Sequence, residues 1–150
     1  MREIRRYHLI LAALAAALTG CTGAVDHDEL LAAKKAEEFA RVALVTHDVE
    51  KGYELVSHST KRYVSLEQFK EAVSRLHPKG FPGAVAASEY EPMHGEKAIY
   101  IFLTGENSGE RFYYRITMEG TAATGYRVLR LDRGSDPYPA SKQRQKFSKS

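Results

Sequence analysis

Histidine and cysteine are the residues of this chain best suited to hold a metal ion or attack a substrate. The chain has one cysteine, Cys21, so a second thiolate ligand or a disulfide partner is missing. The histidines beyond it never form an i, i+4 pair, and the sequence has no glycine-rich phosphate loop or Gly-x-Ser-x-Gly turn. We therefore expect no metal ion and no cofactor. The histidines concerned are His27, His47, His58, His77 and His94.

Acid–base chemistry is the remaining catalytic option, and it would need a carboxylate or histidine inside an apolar pocket. The sequence offers three candidate bases, and each has a simpler interpretation. Asp48 is better placed to cap a helix, His58 to lie in a solvated loop, and Glu89 to face water. We assign no catalytic residue.

Cys21 closes a segment that is typical of an export signal. Residues 2–6 carry a net positive charge, and residues 9–18 contain only Leu, Ile and Ala, a run too short to span a bilayer. The segment ends in Leu18-Thr19-Gly20-Cys21, which resembles the lipobox of bacterial lipoproteins. The alternative is an ordinary signal peptide in which a cysteine stands at this place by chance.

The lipobox resemblance implies a cellular location. Residues 1–20 would be removed, the Cys21 sulfur would carry diacylglycerol, and the new amine would receive an acyl chain such as palmitate. Two or three acyl chains on one residue hold a protein firmly on a bilayer, because each buried methylene contributes about 0.8 kcal/mol. Thr22 stands where lipoproteins kept at the inner membrane have Asp, which implies the periplasmic face of the outer membrane in a diderm cell.

Beyond Cys21 the chain divides into a tether (21–27), a domain (28–136) and a basic tail (137–150) that we expect to be disordered. Residues 21–140 carry 15 basic and 18 acidic groups, a net charge of −3. A nucleic-acid-binding domain would need a basic folded surface, so we expect no nucleic-acid partner. The oligomeric state stays open.

The domain changes its hydrophobic period from helix-like to strand-like near residue 80. Asp28, Asp48 and Ser65 are predicted N-caps, the last with Gln68 in a capping box, and Pro78 ends the third helix. Alternating apolar residues then predict strands over 84–91, 98–103, 111–119 and 126–131. Helices followed by antiparallel strands predict an α+β fold.

A trial register that pairs residue 104 with residue 110 places two pairs of aromatic residues on one face of the sheet. These candidate pocket residues are Tyr100, Phe102, Phe112 and Tyr114, with the helices as their cover. The simpler interpretation of the tyrosines is core packing with the hydroxyl at the rim. The other face of the sheet would present an arginine-aromatic surface suited to an anionic polymer or a partner protein. Its candidate binding residues are Arg111, Tyr113 and Arg115.

Over residues 28–134 this layout resembles the nuclear transport factor 2-like (cystatin-like) superfamily, in which helices and a curved sheet enclose a cone. Three local features carry the resemblance: the run 36–40, His47-Asp48 before residues 52–57, and the run 65–69. It implies a fold and little about function. We predict a non-catalytic domain that binds a ligand or an envelope protein. The alternative is a small isomerase- or dehydratase-like enzyme, or an apolar-ligand carrier, that uses the cone cavity.

Overall fold

The structure, a computed structural model, describes residues 24–148. The predicted signal segment and Cys21 lie outside the described residues. The helices come first along the chain: α1 (Glu29–Ala40), extended by a π-helical turn (Arg41–Val45), then α2 (Val49–Glu54), α3 (His58–Lys61) and α4 (Leu66–Leu76). The strands follow: β1 (Ala84–Pro92), β2 (Ala98–Asn107), β3 (Glu110–Thr121), β4 (Gly125–Gly134) and β5 (Gln145–Lys146).

The predicted caps are confirmed. The Asp28 side chain accepts a hydrogen bond from the Leu31 amide, and Asp48 accepts one from the Lys51 amide. Ser65 and Gln68 form both halves of a capping box. Each cap satisfies amides that the first helical turn leaves unpaired, so these residues fix where the helices begin.

The strands form one antiparallel sheet in the order β4-β3-β2-β1-β5. Two bulges, between Ala87 and Glu89 in β1 and opposite Thr117 and Met118 in β4, bend their strands. The sheet is curved and unclosed, with the longer helices against one face. The α+β fold predicted from the sequence is confirmed, and it is consistent with a nuclear transport factor 2-like cone.

The core lies between the helices and this inner face of the sheet. Small residues along α1 and its π-helical turn let the helix approach closely, and α2 packs so tightly that a Cβ on Gly52 would lie 2.6 Å from the Ala43 Cβ. The sheet contributes aliphatic and aromatic side chains. The core includes Ala32, Ala36, Phe39, Ala40, Ala43, Leu44, Phe69, Val73, Ile99, Ile101, Leu103, Phe112, Tyr114, Ile116 and Met118.

The trial register between β2 and β3 is wrong. Asn107 pairs with Glu110 around a two-residue turn in which Ser108 and Gly109 both have positive φ (50° and 86°), whereas the prediction assumed a five-residue turn. The residue opposite Phe102 is therefore Arg115. An odd shift in register moves a strand's side chains to the opposite face. Phe112 and Tyr114 face the helices, while Tyr100 and Phe102 lie on the outer face.

The tail predicted to be disordered is instead folded against this outer face over residues 137–148. Its β5 pairs with Glu89 and Tyr90 of β1, and the Phe147 amide donates to the Ser88 carbonyl (3.2 Å). The basic composition predicted a solvated tail. The same stretch also contains aromatic side chains, which can pack on a sheet. We call residues 137–148 the C-terminal strap.

Candidate functional site

The interior that would have held a catalytic pocket is occupied by core side chains. Phe39 and Tyr114 are fully buried, and Phe112 and Phe69 are 1% and 8% exposed. Phe39 and Tyr53 both pack against Phe69, with ring centroids 6.1 and 5.5 Å apart. The candidate pocket of four aromatic residues is therefore corrected: Phe112 and Tyr114 belong to the core, and Tyr100 and Phe102 lie behind it.

His77, to which the sequence assigned no role, is buried beside Tyr114. The His77 Nδ1–H donates to the Val73 carbonyl, so in the neutral ring Nε2 accepts from the Tyr114 hydroxyl, both at 2.7 Å. Burial lowers the pKa of His77, and the Arg133 guanidinium lowers it further. Burial also raises the pKa of the Tyr114 phenol. Both groups are thus held neutral.

This pair binds the core together and is not placed to act on a substrate. His77 is 5% exposed, its ring stacks on Phe81 at 4.4 Å, and the polar atoms of the pair are already hydrogen-bonded. The spacing in the sequence offered a signal, because His77, the C-cap of α4, follows the buried Phe69 and Val73 at four-residue intervals. The three candidate bases have other positions in the structure. Asp48 caps α2, as predicted, and Glu89 is on the outer face. His58 begins the short α3 rather than lying in a loop.

An apolar cleft of about 230 Å³ separates α4 from β4. Its walls come from residues such as Val64, Ala72, Leu76 and Leu131. Pockets for small molecules usually start at about 300 Å³ and carry a few polar groups that orient the ligand. This cleft is smaller and almost wholly apolar, so it has few groups that could orient a bound ligand.

The outer face of the sheet carries a different arrangement, in which aromatic rings alternate with arginines. Arg115 lies over the rings of Tyr100 and Tyr138, 5.0 and 5.3 Å from their centroids, and pairs with Asp132 at 3.2 Å. These contacts offset the positive charge of Arg115. Of the three residues predicted for surface binding, Arg115 is therefore engaged within the domain.

Arg144 fastens the C-terminal strap to this face. Its guanidinium lies 3.7 Å from the centroid of Phe102 and donates to the Tyr138 carbonyl at 2.9 Å. It also lies 3.6 Å from Glu89 and 3.7 Å from Glu91. With its side chain only 10% exposed, Arg144 forms a partly desolvated network in which two carboxylates offset one guanidinium.

Beside this network runs an open groove of about 680 Å³, bounded by the sheet on one side and the strap on the other. Within residues 24–148, neither the Arg111 nor the Lys146 side chain has a hydrogen-bond or ion-pair partner, whereas the Glu89 carboxylate is paired with Arg144. The groove thus combines an aromatic lining with two uncompensated cations. We call it the outer groove, and its lining includes Phe102, Thr104, Arg111, Tyr113, Tyr138, Arg144, Lys146 and Phe147.

Two further observations concern the described part of the chain. Within residues 24–148, no three His, Cys, Asp or Glu side chains come close enough to hold a metal ion. In the same range, no helix is both long and apolar enough to cross a bilayer. Compared with known proteins, the chain matches no protein-family model, and no curated protein or solved structure matches it significantly.

Proposed function

We propose that this chain is a lipid-anchored envelope lipoprotein whose domain binds an acidic, extended segment of a partner protein in the outer groove without catalysing a reaction. One contrast carries the proposal. In the interior, His77 and Tyr114 are hydrogen-bonded to each other, while the side chains of Arg111 and Lys146 at the surface have no hydrogen-bond or ion-pair partner among residues 24–148 and lie beside aromatic rings.

Support for the anchor comes from Leu18-Thr19-Gly20-Cys21 at the end of a short apolar run. Acyl chains on Cys21 would hold the domain at a membrane of the cell envelope, the outer membrane in a diderm cell. A domain fixed there meets envelope proteins at high local concentration, so moderate affinity for a partner is sufficient.

Support for the ligand class comes from the lining of the outer groove. Guanidinium and ammonium groups recognise carboxylates, and aromatic rings bury apolar side chains or stack on planar groups. Both kinds of group lie along strands, where alternate residues of an extended peptide would meet them. An acidic peptide with interspersed apolar residues fits this pattern.

The anchor is tested by the mass and location of the mature protein. We expect the amino terminus to be Cys21 with diacylglycerol and an acyl chain, and the protein to float with membranes. Replacing the cysteine, Cys21→Ala, should leave the protein unlipidated and move it to the soluble fraction. A parent chain with a bare thiol and its leader still attached would overturn the anchor.

The groove is tested with a labelled peptide of alternating Glu and Phe, followed by fluorescence anisotropy. The double variant Arg111→Ser with Lys146→Ser should weaken binding at least several-fold and reduce its dependence on salt, because two charge contacts are lost. The matched control is Arg62→Ser with Tyr63→Ser, which removes an exposed arginine lying 5.9 Å over an exposed tyrosine ring elsewhere on the domain. Equal affinity in both variants would overturn the groove proposal.

A further inference from the structure

The last residues of the tether are fixed to one end of the sheet. The Asp28 amide donates to the Tyr126 hydroxyl at 2.9 Å, and that hydroxyl lies 3.1 Å from His27 Nδ1. The His27 Nε2–H donates to the Glu96 carbonyl at 3.2 Å. The Ala122 amide donates to the Asp26 carbonyl at 3.0 Å. Residues 26–28 are therefore held by four hydrogen bonds, two of them through the phenol of Tyr126.

These contacts place the start of the domain beside the β1–β2 turn (93–97) and the β3–β4 turn (122–124). We call these two turns together the tether end. Five peptide links separate Cys21 from Asp26, and a fully extended chain covers at most about 17 Å over that length. A lipid on Cys21 therefore keeps the tether end close to the bilayer, while the rest of the domain extends from a fixed point.

Charge does not distinguish the two ends of the sheet. At the tether end, Glu96 stands beside Lys97, and the carboxylates of Asp26 and Asp28 are exposed. The opposite end, at Ser108 and Gly109, is flanked by the exposed carboxylates of Glu106 and Glu110. The short tether and the hydrogen bonds of residues 26–28 are therefore what favours contact through the tether end.

We propose that the tether end is a bilayer-facing surface, and that the hydrogen bonds of residues 26–28 hold the domain upright on the lipid headgroups. The inference rests on the proposed lipid attachment at Cys21. Strand β2 runs ten residues from the tether end to Glu106 and Asn107, about 30 Å at strand rise. Arg111, which lies opposite Glu106 in the β2–β3 register, then stands about that far from the membrane. The outer groove opens toward water, where an envelope protein can reach it.

The orientation is tested by fluorescence quenching of the lipidated full-length protein in vesicles of phosphatidylethanolamine and phosphatidylglycerol that contain nitroxide-headgroup lipid. A fluorophore is attached to Ala123→Cys at the tether end or to Ser108→Cys at the far turn; both residues are exposed. We expect quenching several-fold stronger at position 123 than at position 108. Equal quenching, or the reverse order, in a protein that floats with vesicles would overturn the orientation.

The role of the hydrogen bonds is tested in the same assay with Tyr126→Phe. This change keeps the buried ring and removes the hydroxyl that contacts His27 and Asp28. We expect the two labels to approach equal quenching while flotation is unchanged, and an unaltered ratio would overturn the proposed role of residues 26–28. A parent chain that neither floats nor carries lipid mass on Cys21 would overturn the anchor as well, so the two failures are distinguishable.

Discussion

The two faces of the sheet carry the same kinds of residue in different structural roles. On the inner face, Phe112 and Tyr114 are enclosed by helices, and the one polar pair among them is neutral and hydrogen-bonded. On the outer face, Phe102 and Tyr100 are covered by arginines and by the C-terminal strap. An aromatic residue in this protein is therefore a core residue or a surface platform depending on its strand position, and the comparison can be broken or sharpened by substitutions on each face.

The largest difference is expected from truncating one phenylalanine on each face. Phe112→Ala should lower the free energy of unfolding by about 3–5 kcal/mol, because the surrounding core cannot collapse into the space. Phe102→Ala should cost less than about 3 kcal/mol, since the strap that covers it can move inward. Urea unfolding followed by circular dichroism measures both, and equal losses would contradict the contrast between the faces.

Removing one hydroxyl from each of two adjacent tyrosines sharpens the same contrast. Tyr114→Phe should cost about 1–3 kcal/mol of unfolding free energy, because His77 Nε2 stays buried without a donor. Tyr113→Phe, on the half-exposed outer face, should change it by less than about 0.5 kcal/mol. If the two substitutions cost the same in urea unfolding, the His77–Tyr114 bond contributes little.

The pH dependence of stability should report His77. The pKa of His77 is lowered in the folded state. Below about pH 6.5 this histidine is therefore protonated in the unfolded chain but stays neutral in the folded chain until the pH reaches its lowered pKa. Stability is thus complete above pH 6.5 and falls as the pH drops toward the folded pKa. The variant His77→Gln should lose less stability between pH 7 and pH 5 than the parent, whereas His58→Gln, at an exposed site, should follow the parent curve.

A small global effect is expected at the strap. Arg144→Ala removes the guanidinium shared by Glu89 and Glu91, and the strap should open locally while the core stays folded. We expect faster hydrogen exchange at the Phe147 amide and a change of no more than about 1 kcal/mol in global unfolding. The exposed Lys142→Ala is the control. An unchanged exchange rate in Arg144→Ala would show that the strap is held by its aromatic contacts instead.

The sequence by itself determined the features that depend on neighbouring residues. The caps at Asp28, Asp48 and Ser65, the helix end before Pro78, and the change of period near residue 80 all follow from local backbone chemistry, and together they gave the α+β class. The lipobox tetrapeptide is equally local, and its consequence for Cys21 stays a prediction because that residue lies outside the described range.

Only the tertiary structure decided which side chains share a face. The two-residue turn at Ser108 and Gly109 shifted the register by an odd number and sent Phe102 away from Phe112. The same kind of long-range contact joined His77 to Tyr114 across 37 residues and laid Arg144 on Phe102. Such pairings depend on strand register and on chain segments distant in sequence, which residue types and local spacing do not specify.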